Sequence, residues 1–202
     1  MFSLNISPAD RTVRYYIKPA VFLLCLAPLL HLVWRGVYGS LGTNPVETIT
    51  HGTGDWALRL LLITLTITPL RRITGNNWLI RLRRLLGLYA FFYVCLHFVT
   101  YIWFDQYFDW AEIVRDIPKR PFITVGFAGF VLLLPLAFTS TNAMMRRLKK
   151  NWQRLHKLVY VIAVLGVLHF LWLVKADVRE PAIYGVVLVV LLGYRAWQQR
   201  RG

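Results

Sequence analysis

The run LLGLYAFFYVCLHFVTYIWF, Leu85 to Phe104, is 20 residues long and carries no charge. As a helix it extends about 30 Å at about 1.5 Å per residue, the thickness of a bilayer's hydrocarbon core. There the backbone must satisfy its own polar groups, as a helix does. Five more stretches follow the pattern: roughly Ile17 to Val37, Trp56 to Leu70, Phe122 to Met145, Leu158 to Val174 and Pro181 to Trp197. With 57% hydrophobic and 15% aromatic residues, the chain exceeds the apolar content a soluble globule needs. The expected fold is all-α: a polytopic membrane bundle of six transmembrane helices, forming one domain over residues 1–202 with its core at about 15–194.

The chain has 24 Lys and Arg against 9 Asp and Glu, a formal net charge of +15. Such an excess raises the question of nucleic acid. Its distribution excludes that partner, because it gathers in RRITGNNWLIRLRR (71–84) and RRLKKNWQRLHK (146–157), each between two apolar runs. With a cytoplasmic N-terminus, 17 of the 24 basic residues fall on the cytoplasmic side. The other side holds 7, together with 8 of the 9 acidic ones, including Asp105, Asp109, Glu112 and Asp116. This positive-inside asymmetry puts both termini in the cytoplasm. Trp34, Trp56, Trp103 and Trp172 mark the outer edge, and Trp78, Trp152 and Trp197 the inner one. Arg11, Arg14 and Lys18 precede the first run, but no small-residue cleavage pattern follows it, so a retained first helix is expected. Cys25 and Cys95 stand singly in apolar runs and read as packing residues. No internal repeat is visible, and the short connections leave no room for a soluble module.

Five histidines punctuate this apolar chain. Within a span an imidazole is costly when charged; when neutral it is a standard axial ligand for haem iron. His97, in the outer part of the third run, and His169, in the fifth, lie at similar depth, since both runs lead outward and each histidine is soon followed by an interfacial Trp. The two can therefore face each other as axial ligands of one b-type haem. The plain alternative is a pair of histidines hydrogen-bonded to neighbouring helices.

His156 precedes His169 by 13 residues, about 20 Å along a helix axis, far enough for a second, inner haem. Thirteen steps leave the two side chains about 140° apart. Either the helix is irregular, with Gly166 the expected place, or the ligands serve different sides of the bundle. At the level of His156 the third run offers Arg83 and Arg84 but no histidine. Arginine has no lone pair for iron, so these two are expected to meet haem propionates or lipid phosphate. The plain reading of His156 is an interfacial residue in a basic loop. His51, with Gly52 and Gly54 as a flexible entry to the second helix, reads as a surface or capping residue, and His31 as a packing one. Asp55 and Arg59 have the spacing of an ion pair on one helix face, with a propionate contact as the rival role for Arg59.

The segments HGTGDWALRLLLITLTITPLRR (51–72), RLRRLLGLYAFFYVCLHFVTY (81–101), LAFTSTNAMMRRL (136–148) and NWQRLHKLVYVIAVLGVLHFLW (151–172) together resemble the ferric-reductase-like transmembrane superfamily. Within it they are most similar to bacterial inner-membrane haem-binding subunits. The resemblance implies electron transfer from the quinone pool or a cytosolic flavin reductase, through haem, to MsrP, a periplasmic molybdenum-containing methionine sulfoxide reductase that repairs oxidised envelope proteins. It makes His97, His156 and His169 the haem-associated histidines and leaves substrate reduction to the partner. The wider superfamily uses two histidines on each of two helices to hold two haems; this chain lacks the inner histidine on its third helix, so one or two haems are implied. FMN is implied by the resemblance alone, since no glycine-rich phosphate cradle is present, and the basic residues at 81–84 or 146–150 are its candidate phosphate partners.

Two rival readings use the same residues: a ferric or quinone reductase acting on small molecules, and a transporter or assembly protein whose histidines line a polar path. The charge asymmetry has its own test. A reporter active only in the periplasm, fused after Gly202, should be silent; activity there would reverse the orientation.

Overall fold

The computed structural model describes residues 11–174 and 176–200; the two chain ends, whose cytoplasmic placement the charge pattern predicts, and the basic residues Lys175 and Arg201 lie outside the described residues. Nine α-helices follow one another: α1 (Lys18–Val37), α2 (Pro45–Thr74), α3 (Arg83–Thr100), α4 (Trp110–Lys119), α5 (Pro121–Phe138), α6 (Asn142–Leu148), α7 (Lys150–His156), α8 (Leu158–Leu173) and α9 (Arg179–Gln199). A π-turn at Val13–Ile17 leads into α1. A 3-10 turn at Asn77–Arg81 leads into α3, which runs on through a π-turn at Tyr101–Asp105. There is no strand among the described residues, and five helical stretches are long and apolar enough to cross a membrane: Val13–Val37, Asn77–Asp105, Pro121–Phe138, Lys150–Leu173 and Arg179–Gln199. The chain is an all-α polytopic membrane protein.

The long helix outside that set is α2, the second of the six expected spans. Asn44 caps it by accepting from the Glu47 backbone N–H at 3.2 Å, Pro45 occupies the first turn, and Gly75 ends it in the left-handed region at φ 71°. It therefore begins at Pro45, not Trp56, and His51, Gly52 and Gly54 lie inside a helix rather than at a flexible entry. Asp55, Arg59 and its threonines lower its mean hydropathy. The helix tolerates them because protein surrounds it: it buries Thr53, Ala57, Leu58, Leu60, Leu61, Leu62, Thr64, Leu65 and Ile67, more than any other helix. The flanking helices show the opposite pattern, α1 burying only Cys25 and Pro28, and α9 only Pro181 and Leu188. Their outward apolar side chains suit lipid.

Two closely packed pairs, α2 with α3 and α5 with α8, face each other across the centre, while α1 lies against α2 and α3, and α9 against α8 and α2. The fourth apolar run stops as a helix at Phe138, where the Thr139 hydroxyl donates to the Pro135 carbonyl at 2.6 Å. The irregularity expected near Gly166 falls instead at Lys157, between α7 and α8, and Gly166 sits in regular helix. His31 is exposed on α1 rather than packed.

Pro28 interrupts α1, and a side chain repairs the break. The Leu29 N–H, one turn beyond Cys25, donates to the Tyr93 hydroxyl at 3.1 Å, and that hydroxyl donates to the Cys25 carbonyl at 2.8 Å. A phenol from α3 is thus spliced into the α1 ladder, with Tyr93 at 0% exposure. Tyr93→Phe leaves a donor and an acceptor unpaired, at a cost of about 1–3 kcal/mol. Thermal unfolding in detergent should show a lowered midpoint for this variant and little change for Tyr89→Phe, whose hydroxyl makes no such bond among the described residues.

Candidate functional site

A cavity of about 600 Å³ lies between the two central helix pairs, and His97 from α3 and His169 from α8 both line it. Their ring centroids are 6.0 Å apart, with planes at 78°. The His97 Nδ1 lies 3.0 Å from the Thr50 carbonyl oxygen of α2, and the His169 Nδ1 lies 2.7 Å from the Phe122 carbonyl oxygen of α5. A carbonyl only accepts, so Nδ1 is the donor in both bonds and carries the proton. Both rings are fixed in the tautomer whose Nε2 keeps its lone pair, the form that binds a metal.

The two halves are built alike. Each histidine bonds a carbonyl 47 residues earlier, and a glycine lies one helical turn beyond that carbonyl, Gly54 after Thr50 and Gly126 after Phe122. A Cβ on Gly54 would stand 3.1 Å from His97 ring atoms, and one on Gly126 would stand 2.6 Å from His169 Nδ1. Both glycines are there to let an imidazole lie against a helix backbone. The sequence, which shows no internal repeat, hides this correspondence because only three positions in each half need to match. The offset from His97 to His169 is 72 residues, and 72 residues before His156 stands Arg84. The likeness thus ends at the other end of the bundle.

There the surroundings differ. His156 Nε2 is 3.0 Å from the Thr139 hydroxyl, and its ring stacks on Trp152 with centroids 3.9 Å apart, away from the shared cavity. Arg84 donates to the Asn142 side-chain oxygen at 2.6 Å, and Arg83 stands within electrostatic range of His156. Arg59 pairs with Asp55 at 3.6 Å, as its spacing predicts, and donates to the Tyr184 hydroxyl at 2.7 Å. None of these three arginines lines the cavity, whereas Arg120 does. Arg120 forms an ion pair of 2.7 Å with Asp116, which is only 1% exposed. Asp116 is therefore no surface charge, and Asp105, Asp109 and Glu112 alone of the four acidic residues are exposed. His51 lines the cavity mouth.

Apolar walls dominate this space, but the Thr50 hydroxyl is buried without a hydrogen-bond partner. The cavity lies in the range typical of small-molecule and cofactor pockets, about 300–1,000 Å³. Paired neutral imidazoles on such a cavity suit a metal-centred, largely apolar ligand.

A membrane bundle with paired imidazoles on an internal cavity defines the class, and the family model for a ferric reductase like transmembrane component matches residues 53–167. That stretch takes in His97, His156 and both cradle glycines and stops just short of His169. Over 206 residues, 99% of this chain and 93% of the relative, it is 53% identical to the protein-methionine-sulfoxide reductase heme-binding subunit MsrQ of Herminiimonas arsenicoxydans. It is 56% identical to the MsrQ of Xanthomonas campestris pv. campestris strain 8004 over 90% of this chain and 86% of that one. The chain therefore belongs to the MsrQ family of ferric-reductase-like transmembrane proteins.

The cradle glycines differ in how closely their histidine approaches. Gly126→Ala should destabilise the fold by about 1–3 kcal/mol through overpacking, and Gly54→Ala by less. Thermal unfolding of the two variants checks the order.

Proposed function

We propose that this chain is a haem-carrying electron-transfer subunit serving a periplasmic methionine sulfoxide reductase of the MsrP type. The observation that carries the reading is the His97–His169 pair, with both Nε2 lone pairs free and the ring centres 6.0 Å apart. Two imidazoles sharing one metal need about 2.0 Å for each metal–nitrogen bond and about 1.1 Å from each nitrogen to its ring centre, roughly 6 Å in all. The glycine cradles and the unpartnered Thr50 hydroxyl fit the same occupant. Relatives at 53–56% identity bear the name of heme-binding subunit of a protein-methionine-sulfoxide reductase.

Bound haem supplies a one-electron ferric/ferrous couple. The chain contributes two oriented ligands, an apolar wall that keeps water from the iron, and a position across a membrane. A b-type haem is favoured because Cys25 and Cys95 stand far apart and form no CxxCH attachment motif. In this reading α2 is a sixth span, both termini are cytoplasmic, and the membrane is the bacterial inner one. Electrons come from the quinone pool or a cytosolic flavin reductase to the basic inner face, where FMN is assigned by resemblance alone. They leave by the outer face that carries Asp105, Asp109 and Glu112. His156 is the ligand of any inner haem, and that role requires it to exchange Thr139 for iron.

His97→Ala and His169→Ala should each remove most of the Soret absorbance of the purified protein, while His31→Ala keeps it. Full haem content in both of the first two variants would overturn the site. In proteoliposomes of known orientation, reduced haem should be reoxidised by MsrP on the outer side, with methionine sulfoxide reduced in step; no reoxidation would reject the partner.

A further inference from the structure

We infer that Arg120 binds the carboxylate end of the group held between His97 and His169, and that Asp116 is the residue that positions it. The inference rests on the haem reading above, since haem is an apolar disc bearing two propionates. Among the described residues, Arg120 is the only Lys or Arg lining the cavity, whereas Glu47, Asp55 and Asp105 also line it. Without Arg120 a propionate there would meet like charge alone, apart from His51. Arg59 is already engaged with Asp55 and Tyr184, and Arg83 and Arg84 stand toward the end of the bundle that holds His156.

The way Arg120 is held suits this task. Its Nε faces Asp116 Oδ1 at 2.7 Å, which leaves both terminal amino groups without a partner among the described residues. Asp116 Oδ2 accepts from the Tyr101 hydroxyl at 3.0 Å and from Gln106 Nε2 at 3.2 Å. At 1% exposure, this carboxylate is held from three sides. A buried carboxylate that loses its cation is strongly destabilised, so Asp116 fixes Arg120 at the cavity rim. The guanidinium has five N–H donors, and the four on its terminal nitrogens match a carboxylate's two oxygens. Arg120 also caps α5, two residues before Phe122, whose carbonyl anchors His169. One helix start therefore sets both a ligand's tautomer and the rim cation.

The test follows haem release from the full-length holoprotein in detergent into excess apomyoglobin, for wild type, Arg120→Gln, Arg120→Lys and Asp116→Asn. Haem and its dimethyl ester are also titrated into full-length wild type and Arg120→Gln made in haem-deficient cells. Arg120→Gln should speed release by roughly tenfold or more, the worth of a charge-assisted hydrogen bond. Arg120→Lys should restore part of the retention, and Asp116→Asn should fall between wild type and Arg120→Gln. Esterification should weaken binding to wild type and make little further difference in Arg120→Gln, a result that a merely structural arginine would not give. Equal release rates together with an ester penalty independent of Arg120 would overturn this role alone. A wild-type protein without low-spin, two-histidine haem would overturn the site reading, and this role with it.

Discussion

Two hydrogen bonds from imidazole Nδ1–H to helix carbonyls, His97 to Thr50 and His169 to Phe122, govern the centre of this molecule. In the interior of a membrane protein an unpartnered N–H costs several kcal/mol, so each ring is held to its carbonyl. A carbonyl has two lone pairs, and one already in the helix ladder accepts the second donor without leaving it. The bond fixes the tautomer, and the tautomer leaves Nε2 basic. It also requires the ring to lie against a helix backbone, which is why Gly54 and Gly126 stand where a side chain would collide. Ligand chemistry, helix spacing and the choice of glycine are thus one constraint expressed at three levels.

The bundle is arranged around that constraint. The most buried helix, α2, supplies one carbonyl and one cradle, and it is less apolar than its neighbours because protein rather than lipid covers it. The lipid-facing α1 is tied to the centre by the Tyr93 hydroxyl, which closes the gap Pro28 opens. At one end of the cavity a buried carboxylate holds a cation at the rim. At the opposite end of the bundle, His156 stacks on Trp152 and meets Thr139. The central pair and the single histidine therefore occupy chemically different surroundings.

Much of this was legible in the sequence. Uncharged runs of bilayer length dictated a helical membrane protein, and the common depth of His97 and His169 dictated that they could meet. The Asp55–Arg59 pair followed from helical spacing. What escaped were contacts between distant positions. Gly52 and Gly54 looked like a flexible entry because local sequence reports a glycine's freedom, not the ring that needs its missing Cβ. The bend at Lys157 was sought at Gly166 for the same reason. Arg83, Arg84 and Arg59 drew attention as propionate partners by lying near histidines or within spans, whereas Arg120 looked like one more loop charge. Only the fold shows that Asp116 is buried beside it. A signal was present, a glycine 43 residues before each of two histidines, but nothing in a single sequence marks that spacing as meaningful.

The central claim is that two neutral imidazoles, with planes crossed at 78°, face one occupant. Electron paramagnetic resonance of the oxidised, purified protein at low temperature tests it most directly. The account predicts a low-spin ferric signal of the strongly anisotropic kind given by two crossed imidazoles. A high-spin ferric signal, as from iron with one imidazole, would contradict it.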